Sequence, residues 1–484
     1  MTKTITDLLK NIDAEIPENA RLLNINALQF DSRKVGKDDL FFAIPGYKTD
    51  GHQYLQSAES SGACAAVVEK RMPGVKIPQI VVKNARQAMA FAAAGFYSEA
   101  LNTMKLVGIT GTNGKTTTSF LIRSILNEAG LSCGLIGTIA YEFGGQKKNA
   151  WNTTPEAIDL YKMISQMYEA GQKACVLEVS SHALALQRVA GLCFDAGVFT
   201  NLTRDHMDFH PDEEEYFQTK LKLFDLLKSN GKAVVNADDA YGRRIQKEKI
   251  TDAVSYGFSE KAMIRLLDWK MDIKGMQLQI SDGEQTTRID TKLISKFNTE
   301  NILASFAAGM ALGISAAIIK QGIEKVTRIP GRLEVHQISP GIAAVIDYAH
   351  TPDALQKAQE ALKALVEKRL IVVFGAGGDR DRGKRPLMGA VVEKLAYLPI
   401  VTSDNPRTED PQRIINDVLS GMSENSEKII IPDRKKAIYE AVKIAQPGDL
   451  ILIAGKGHET YQEINGKRFD FDDALIVQEA AKNV

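Results

Sequence analysis

The rhythm of apolar and polar positions changes twice along this chain, and each change marks a different kind of element. Up to about residue 102, short apolar runs (Leu40-Phe41-Phe42-Ala43, Ala65-Ala66-Val67-Val68, Ile80-Val81-Val82) are separated by helical stretches and Gly/Pro turns, which predicts a small α/β unit. From about residue 103 strands alternate with helices, the pattern of a doubly wound parallel sheet. Strands are predicted at 105–110, 174–179, 196–200 and 232–236, and helices at 115–129 and 213–228. Period-two alternation in Met276-Gln277-Leu278-Gln279-Ile280, ahead of the turn Ser281-Asp282-Gly283, predicts an antiparallel insertion over about 264–294. Helical sequence resumes from Asn298 to Leu312, and a break at Ile329-Pro330-Gly331 opens a second alternating series with strands at 343–347, 370–374, 399–402, 428–431 and 449–454. The expected fold class is α/β in three domains. These are a small N-terminal α/β domain (1–102), a central P-loop ATPase-like parallel sheet with an antiparallel insertion (103–329), and a C-terminal Rossmann-like α/β domain (330–484).

Composition narrows the function classes. At 484 residues, 44% apolar and 25% charged, the chain is globular material for about three domains. Lys plus Arg and Asp plus Glu are both 60, so no global field recruits nucleic acid or an anionic membrane surface. The N-terminus lacks the apolar core of a signal peptide, no segment approaches the length of a membrane span, and a cytoplasmic location is expected. Cys64, Cys133, Cys175 and Cys193 stand singly in apolar surroundings, without C-x-x-C spacing, and are assigned to packing as reduced, buried thiols.

The chemistry begins at Val107-Gly108-Ile109-Thr110-Gly111-Thr112-Asn113-Gly114-Lys115-Thr116-Thr117, a glycine-rich turn between an apolar strand and a helix. Gly111 and Gly114 let backbone N–H groups close around an anion, the following helix presents its positive end, Lys115 reaches terminal phosphates, and Thr116 is placed to hold Mg²⁺. Position 109 is Ile, so this is a variant of G-x-x-x-x-G-K-[ST]. The strand Ala174-Cys175-Val176-Leu177 delivers Glu178, Ser180, Ser181 and His182 to the sheet edge where open α/β sheets bind ligands, and the next strand delivers Asn201 through Asp208 there. Glu178, His206 and Thr116 form an oxygen-and-imidazole set suited to Mg²⁺ or Mn²⁺ on a nucleotide. Of seven histidines, His52, His182, His206, His210, His350 and His458 fall at strand ends or in polar loops, and His336 reads as incidental.

The first domain offers Asp31-Ser32-Arg33 and the polar loop Pro45 to His52, which turn formation alone would also explain. In the third, apolar strands precede Asp347-Tyr348-Ala349-His350-Thr351-Pro352, the loop Gly375 to Arg385, Asp404-Asn405-Pro406-Arg407 and Gly455-Lys456-Gly457-His458-Glu459. Gly375-Ala376-Gly377-Gly378 lacks G-x-G-x-x-G spacing and is followed by charge, so it reads as a charged-substrate loop rather than a dinucleotide site. Two anion-handling α/β domains suit an ATP-driven condensation, one holding nucleotide and acceptor carboxylate, the other bringing the amine.

Taken in order, these motifs resemble the Mur ligases, nearly end to end: Asp31-Ser32-Arg33, Gly111 to Thr116, Asn152-Thr153-Thr154-Pro155, Leu177 to His182, Asn201 to Asp208, Gly331-Arg332-Leu333-Glu334, Asp347 to Pro352, and Asp404 to Arg407. Within the family the resemblance is to the members that add meso-2,6-diaminopimelate to UDP-N-acetylmuramoyl-L-alanyl-D-glutamate in peptidoglycan synthesis, using ATP and Mg²⁺. It implies that Ser32 contacts the uridine nucleotide and that Thr153, Thr154, Ser180 and Arg188 contact the muramoyl dipeptide. ATP would lie on Thr110, Gly111, Thr112, Asn113, Gly114, Lys115, Thr116 and Thr117, with Asn301, Arg332 and Asp347 at adenine and ribose and Asn298 sharing the adenine role. Lys220 is implied as a carbamate ligand to the metal beside Thr116, Glu178 and His206, and Lys115, Lys220, His206 and Arg332 as the catalytic set. The D-glutamyl carboxylate would form an acyl phosphate that the amine attacks. Some relatives carry Gln where this chain has Leu186, with Gln187 one place later, which puts that substrate contact in question.

Diaminopimelate carries a distal carboxylate that lysine lacks, and a guanidinium grips such a group bidentately, which points to Arg407. The resemblance assigns Arg380, Asp404, Asn405, Pro406, Gly455 and Glu459 to the remaining contacts of that amino acid, and the protein is expected to be a monomer. An L-lysine-adding relative and a folylpolyglutamate synthase-like ligase are the neighbouring readings. The latter lacks a uridine-binding first domain, whereas about a hundred residues precede the loop here. A P-loop switch is the reading of a different class, and Asn-Lys-x-Asp, the guanine-reading motif, is absent.

Overall fold

The computed structural model describes residues 3–46, 49–250 and 252–482. Tyr47 and Lys48 of the polar loop near the N-terminus lie outside the described residues. The chain packs as two compact units interleaved in sequence, one of Met1–Leu267, Ile280–Thr287 and Glu300–Ile323, the other of Asp268–Gln279, Arg288–Thr299 and Glu324–Val484. Among the described residues no helix is long and apolar enough to cross a membrane.

The first unit opens with a five-stranded sheet in the order Ala14–Glu15, Gln79–Val82, Ala63–Val68, Asp39–Phe42, Leu28–Gln29, parallel except for its first pair. Helix Ala85–Phe96 covers it, capped by the Asn84 side chain accepting from Gln87 N at 2.9 Å. Its buried face is mostly alanine (Ala85, Ala88, Ala92, Ala93), which lets it lie close to its neighbours.

The second sheet of the chain follows the order Gln146–Asn149, Ala140–Phe143, Cys133–Ile136, Ala174–Glu178, Lys105–Thr110, Phe194–Phe199, Leu227–Asn236, Val254–Gly257, Ile264–Asp272, Gly275–Ser281, Thr286–Thr291. Pairing from Cys133–Ile136 to Ile264–Asp272 is parallel. The strand Lys105–Thr110 lies between Ala174–Glu178 and Phe194–Phe199, and successive strands are laid down first on one side of it and then on the other. That makes its carboxyl end a switch point, with a crevice by construction. The predicted strands recur here. The predicted helix over 213–228 does not: it ends at Leu221, tightens into a 3₁₀ turn over Lys222–Leu226, and gives way to strand at Leu227. The reason is tertiary, since Leu227 must pair with Phe194 while Leu223 and Phe224 turn into the core.

In the second unit a six-stranded sheet runs Glu334–Ser339, Ile342–Asp347, Leu450–Ala454, Leu370–Phe374, Leu398–Val401, Ile429–Ile430, parallel beyond its first pair. Its central strands are apolar on both faces and fully buried, as strands covered by helices on each side must be. A hairpin, Tyr461–Ile464 with Lys467–Asp470, was not predicted, although Asn465-Gly466 at its turn is a strong hairpin signal. Both turn residues take positive φ, 50° and 72°.

Candidate active site

The glycine-rich loop is shaped by residues facing it across the crevice. Gly111 and Gly114 have φ of +144° and +85°. A Cβ on Gly111 would lie 1.9 Å from Thr200 Oγ1, and one on Gly114 would lie 2.3 Å from Asn301 Oδ1, so glycine alone fits both places. The loop backbone is tied to the next strand: Thr112 N donates to Asn201 O at 2.8 Å, Asn113 N to Asn201 Oδ1 at 3.0 Å, and Thr200 Oγ1 to Asn113 O at 2.6 Å. Thr116 and Thr117 begin the helix that follows and are buried; the Thr110 side chain is buried at the end of the strand.

Two lysines converge on this loop. Lys115 Nζ donates to Gly111 O at 2.9 Å and Thr112 O at 2.8 Å, and Lys220 Nζ donates to the same Gly111 O at 2.9 Å. Lys220 lies over the Tyr216 ring, 4.3 Å from its centroid. Burial, and then the neighbouring Lys115 charge, push the Lys220 amine well below the usual lysine range.

Beside the loop, Glu178 is the hub of a buried hydrogen-bond web. Its carboxylate accepts from Thr116 Oγ1, Thr138 N and Thr138 Oγ1, each at 3.0 Å. A Cβ on Gly137 would lie 2.2 Å from Glu178 Oε1, so the carboxylate fills the space a side chain would take. The web continues from Thr138 Oγ1 to Thr153 Oγ1 at 3.1 Å, and from Thr154 Oγ1 to Glu178 O at 2.8 Å and Ser180 Oγ at 3.3 Å. Arg188 Nη1 donates to Thr154 O at 3.0 Å, while its guanidinium pairs with Glu156 at 2.9 Å. Thr116, Glu178, Thr153, Thr154, Ser180 and Arg188 are therefore brought together in one hydrogen-bonded web. Thr138, Gly137 and Glu156 were missed. Thr138 follows the apolar run that ends at Ile136, so predicting the strand Cys133–Ile136 would have placed it at the same carboxyl edge.

The histidines form a second group. His182 and His206 rings stand edge to face at 5.1 Å, and His182 lies 6.1 Å from His210, whose Nδ1 pairs with Glu215. Burial, then the two neighbouring histidines, lower His182 to about 4. His206 is lowered by burial as well, with the Lys115 and Lys220 charges acting in the same direction against Asp205. Among the described residues no group of three or more His, Cys, Asp and Glu side chains is arranged to hold a metal. A divalent cation at Thr116 and Glu178 would take further ligands from nucleotide oxygens, which is the usual manner of Mg²⁺. Ser32 is buried in a short 3₁₀ turn capped by Asp31, and Arg33 pairs with Asp31 at 2.8 Å.

Asn301 faces Gly114 in the first unit, whereas Asn298 belongs to the second, where its amide donates to Ile294 O at 2.7 Å. In that unit Asp347 accepts from Leu333 N and Ala349 N, both at 2.9 Å, and burial raises its pKa against the pull of Arg332. The Arg332 guanidinium sits 5.4 Å above the Tyr348 ring, which also lies 4.9 Å from His458. His336 is not incidental: it is buried and bonds Glu334 Oε1 at 3.0 Å, and the other oxygen of Glu334 accepts from Gly331 N at 2.9 Å. It thus helps fix the Gly331-Arg332 turn. The packing role expected of four buried cysteines holds for Cys133 and Cys175, but Cys64 is only half-buried, at the rim of its core, and Cys193 is exposed, so neither is the buried thiol expected.

At the carboxyl edge of the same sheet, Arg407 takes φ +52° and its Nη1 donates to Gly378 O at 2.6 Å. Asn405 Nδ2 donates to Glu459 Oε2 at 2.7 Å, and Asp404 Oδ2 occupies the place where a Cβ on Gly455 would lie, 2.4 Å away. Pro406 follows Asn405 in this loop, and Arg380 lies on the neighbouring one, its Cγ 3.8 Å from the Cβ position of Gly377. Glu409 anchors that neighbouring loop, accepting from Asp379 N at 2.6 Å and pairing with Arg385 at 2.7 Å; these bonds hold its carboxyl down at about 2.

Three family models match successive parts of the chain: Mur ligase family, catalytic domain, over 24–97; Mur ligase middle domain over 109–309; and Mur ligase, glutamate ligase domain, over 331–457. The UDP-N-acetylmuramoyl-L-alanyl-D-glutamate--2,6-diaminopimelate ligase of Clostridium tetani is 40% identical, over 98% of this chain and 98% of that protein. Its namesake from Geobacter metallireducens is 42% identical, over 99% and 98%. A solved structure of a ligase of the same name is 33% identical, covers 100% of this chain and 99% of its own, and superposes with a TM-score of 0.73. The class these findings define is the ATP-dependent ligases. Within it, the chain belongs to the Mur ligase family.

Proposed function

We propose that this Mur ligase joins meso-2,6-diaminopimelate to the D-glutamate of UDP-N-acetylmuramoyl-L-alanyl-D-glutamate, with residues 1–102, 103–329 and 330–484 serving the uridine nucleotide, ATP and the amino acid respectively. The observation that carries this reading is the unbroken web from Thr116 through Glu178 and Thr138 to Thr153, Thr154 and Ser180, because it links a phosphate cradle to a set of hydroxyls suited to a polar acceptor. The names of the relatives support the substrate pair.

In this reading a D-glutamyl carboxylate oxygen attacks the γ-phosphorus of ATP and ADP leaves. The amine then adds to the acyl carbonyl, and phosphate departs as the nitrogen loses a proton. Backbone N–H groups at the start of helix Lys115–Glu128 and the Lys115 ammonium hold the phosphates, and Arg188 orients the dipeptide through its place beside Thr154. Thr116 and Glu178 would hold Mg²⁺, joined by His206 and a Lys220 carbamate. That ion supplies charge neutralisation at the phosphates. The depressed Lys220 pKa supports the carbamate, since the neutral amine is the form that adds CO₂, releasing one proton. Arg407 and Arg380 would grip the distal carboxylate of the amino acid, and Glu459 its ammonium.

The test is phosphate release with the mass of the product read in parallel. Release should require ATP, the UDP-dipeptide and diaminopimelate together, and the product should gain one diaminopimelate residue. Release without any amino acid, or equal use of lysine, would overturn the assignment of substrate.

A further inference from the structure

One buried cation of the second unit has no part in the scheme above. Lys456 is 0% exposed, which lysine almost never is unless its charge is matched. Its Nζ donates to Asn405 Oδ1 at 3.0 Å and to Glu459 Oε2 at 3.3 Å, with the Tyr461 and Phe471 ring centroids 5.6 and 5.8 Å away. An ammonium can only donate. With Glu463 N, which donates to the same Asn405 Oδ1 at 2.9 Å, it dictates which end of the Asn405 amide is oxygen. The Nδ2 end is then turned to Glu459 Oε2 at 2.7 Å. Both side-chain bonds to Glu459 therefore fall on one carboxylate oxygen, and Oε1 is presented on a side chain 17% exposed. Beneath this loop Arg434, fully buried against Asp473, donates to Ala454 O at 3.0 Å and steadies the strand end from which Gly455 to Glu459 depart.

We infer that Lys456 is a positioning residue for the incoming amino acid: it sets the Asn405 amide and aims the second oxygen of Glu459 at the ammonium of that substrate. The inference rests on the assignment of the amino-acid site proposed above. A lysine held this deep costs stability unless its two bonds are both made, and here both are made to side chains assigned to the incoming amino acid, Asn405 and Glu459, on two neighbouring loops.

Lys456→Met keeps the apolar stem and removes the ammonium, and Lys456→Gln returns a donor without charge. Steady-state kinetics with each of the three substrates varied, together with thermal denaturation, give the readout. Lys456→Met should raise KM for diaminopimelate by about tenfold or more, with kcat within about threefold and KM for ATP and the UDP-dipeptide within about twofold; Lys456→Gln should fall between it and the wild type. A wild-type enzyme that ignores diaminopimelate defeats the choice of amino acid alone, and the same comparison is then made on whichever amino acid it uses. An unchanged KM for the amino acid, equal rises in all three KM values, or loss of folding in both variants overturns the role assigned to Lys456.

Discussion

Glu178→Gln separates the charge of the central carboxylate from its shape. Glu178 is 1% exposed and accepts Thr138 N on Oε1 and the hydroxyls of Thr116 and Thr138 on Oε2, all at 3.0 Å. A glutamine with its carbonyl at the Oε1 position keeps the one bond whose donor cannot turn, and both hydroxyls can rotate to accept from its amide. The fold then loses charge assistance rather than bonds. A charged hydrogen bond is worth about 1 kcal/mol more than a neutral one, and three such differences are largely offset by no longer burying a charge, so stability should move by about 2 kcal/mol or less. For domains of this size that is a shift of at most about 4–8 °C in Tm. Ligation should respond far more strongly, because the anion beside the phosphate loop is gone: phosphate release at saturating substrates should fall by about 10² to 10³. Melting curves and phosphate assays on the same preparation decide the matter. Activity within about threefold of wild type, or a loss accounted for by unfolded protein, would refute the reasoning.

Other perturbations probe the remaining groups. Lys115→Met should abolish turnover, since it removes the ammonium on Gly111 O and Thr112 O, while circular dichroism stays unchanged; retained turnover would remove the basis for the phosphate site. Arg407→Ala keeps the same positive-φ backbone demand, so its effect should be on the substrate: KM for diaminopimelate should rise about tenfold or more with that for ATP unchanged, and Arg407→Lys should recover little because it lacks the guanidinium fork. His458 is pushed down to about 4, first by burial and then by Arg332 and His350. As pH falls from 6.5 toward 4 the unfolded chain takes up its proton before the folded one does, so stability present above pH 6.5 is lost across that window, by up to about 3 kcal/mol. Urea unfolding of His458→Gln should lack that part of the pH dependence, and an identical slope in both proteins would contradict it.

The residues of the chain determine much of this without any tertiary information. Lys105–Thr110 with its glycine turn and helix is legible because apolar period, glycine and lysine occur at the spacing a phosphate cradle requires, all within a dozen neighbouring residues. The alternation of strand and helix, and with it the two carboxyl edges, one carrying Glu178 and His206 and the other Arg407, follows from local periodicity in the same way. Two hairpin turns, Gly144-Gly145 and Asn465-Gly466, were equally available and unread. Tertiary structure decided what depends on partners far apart in sequence. The end of the helix at Leu221 was set by strand pairing with Phe194, the bonding of buried Lys456 by Asn405, 51 positions away, and the bonding of Glu178 by Thr116 and Thr138, which lie 62 and 40 positions away. Helical period and turn chemistry are properties of neighbours along the chain, whereas desolvation, and the choice of the group that compensates it, exist only once distant segments have packed.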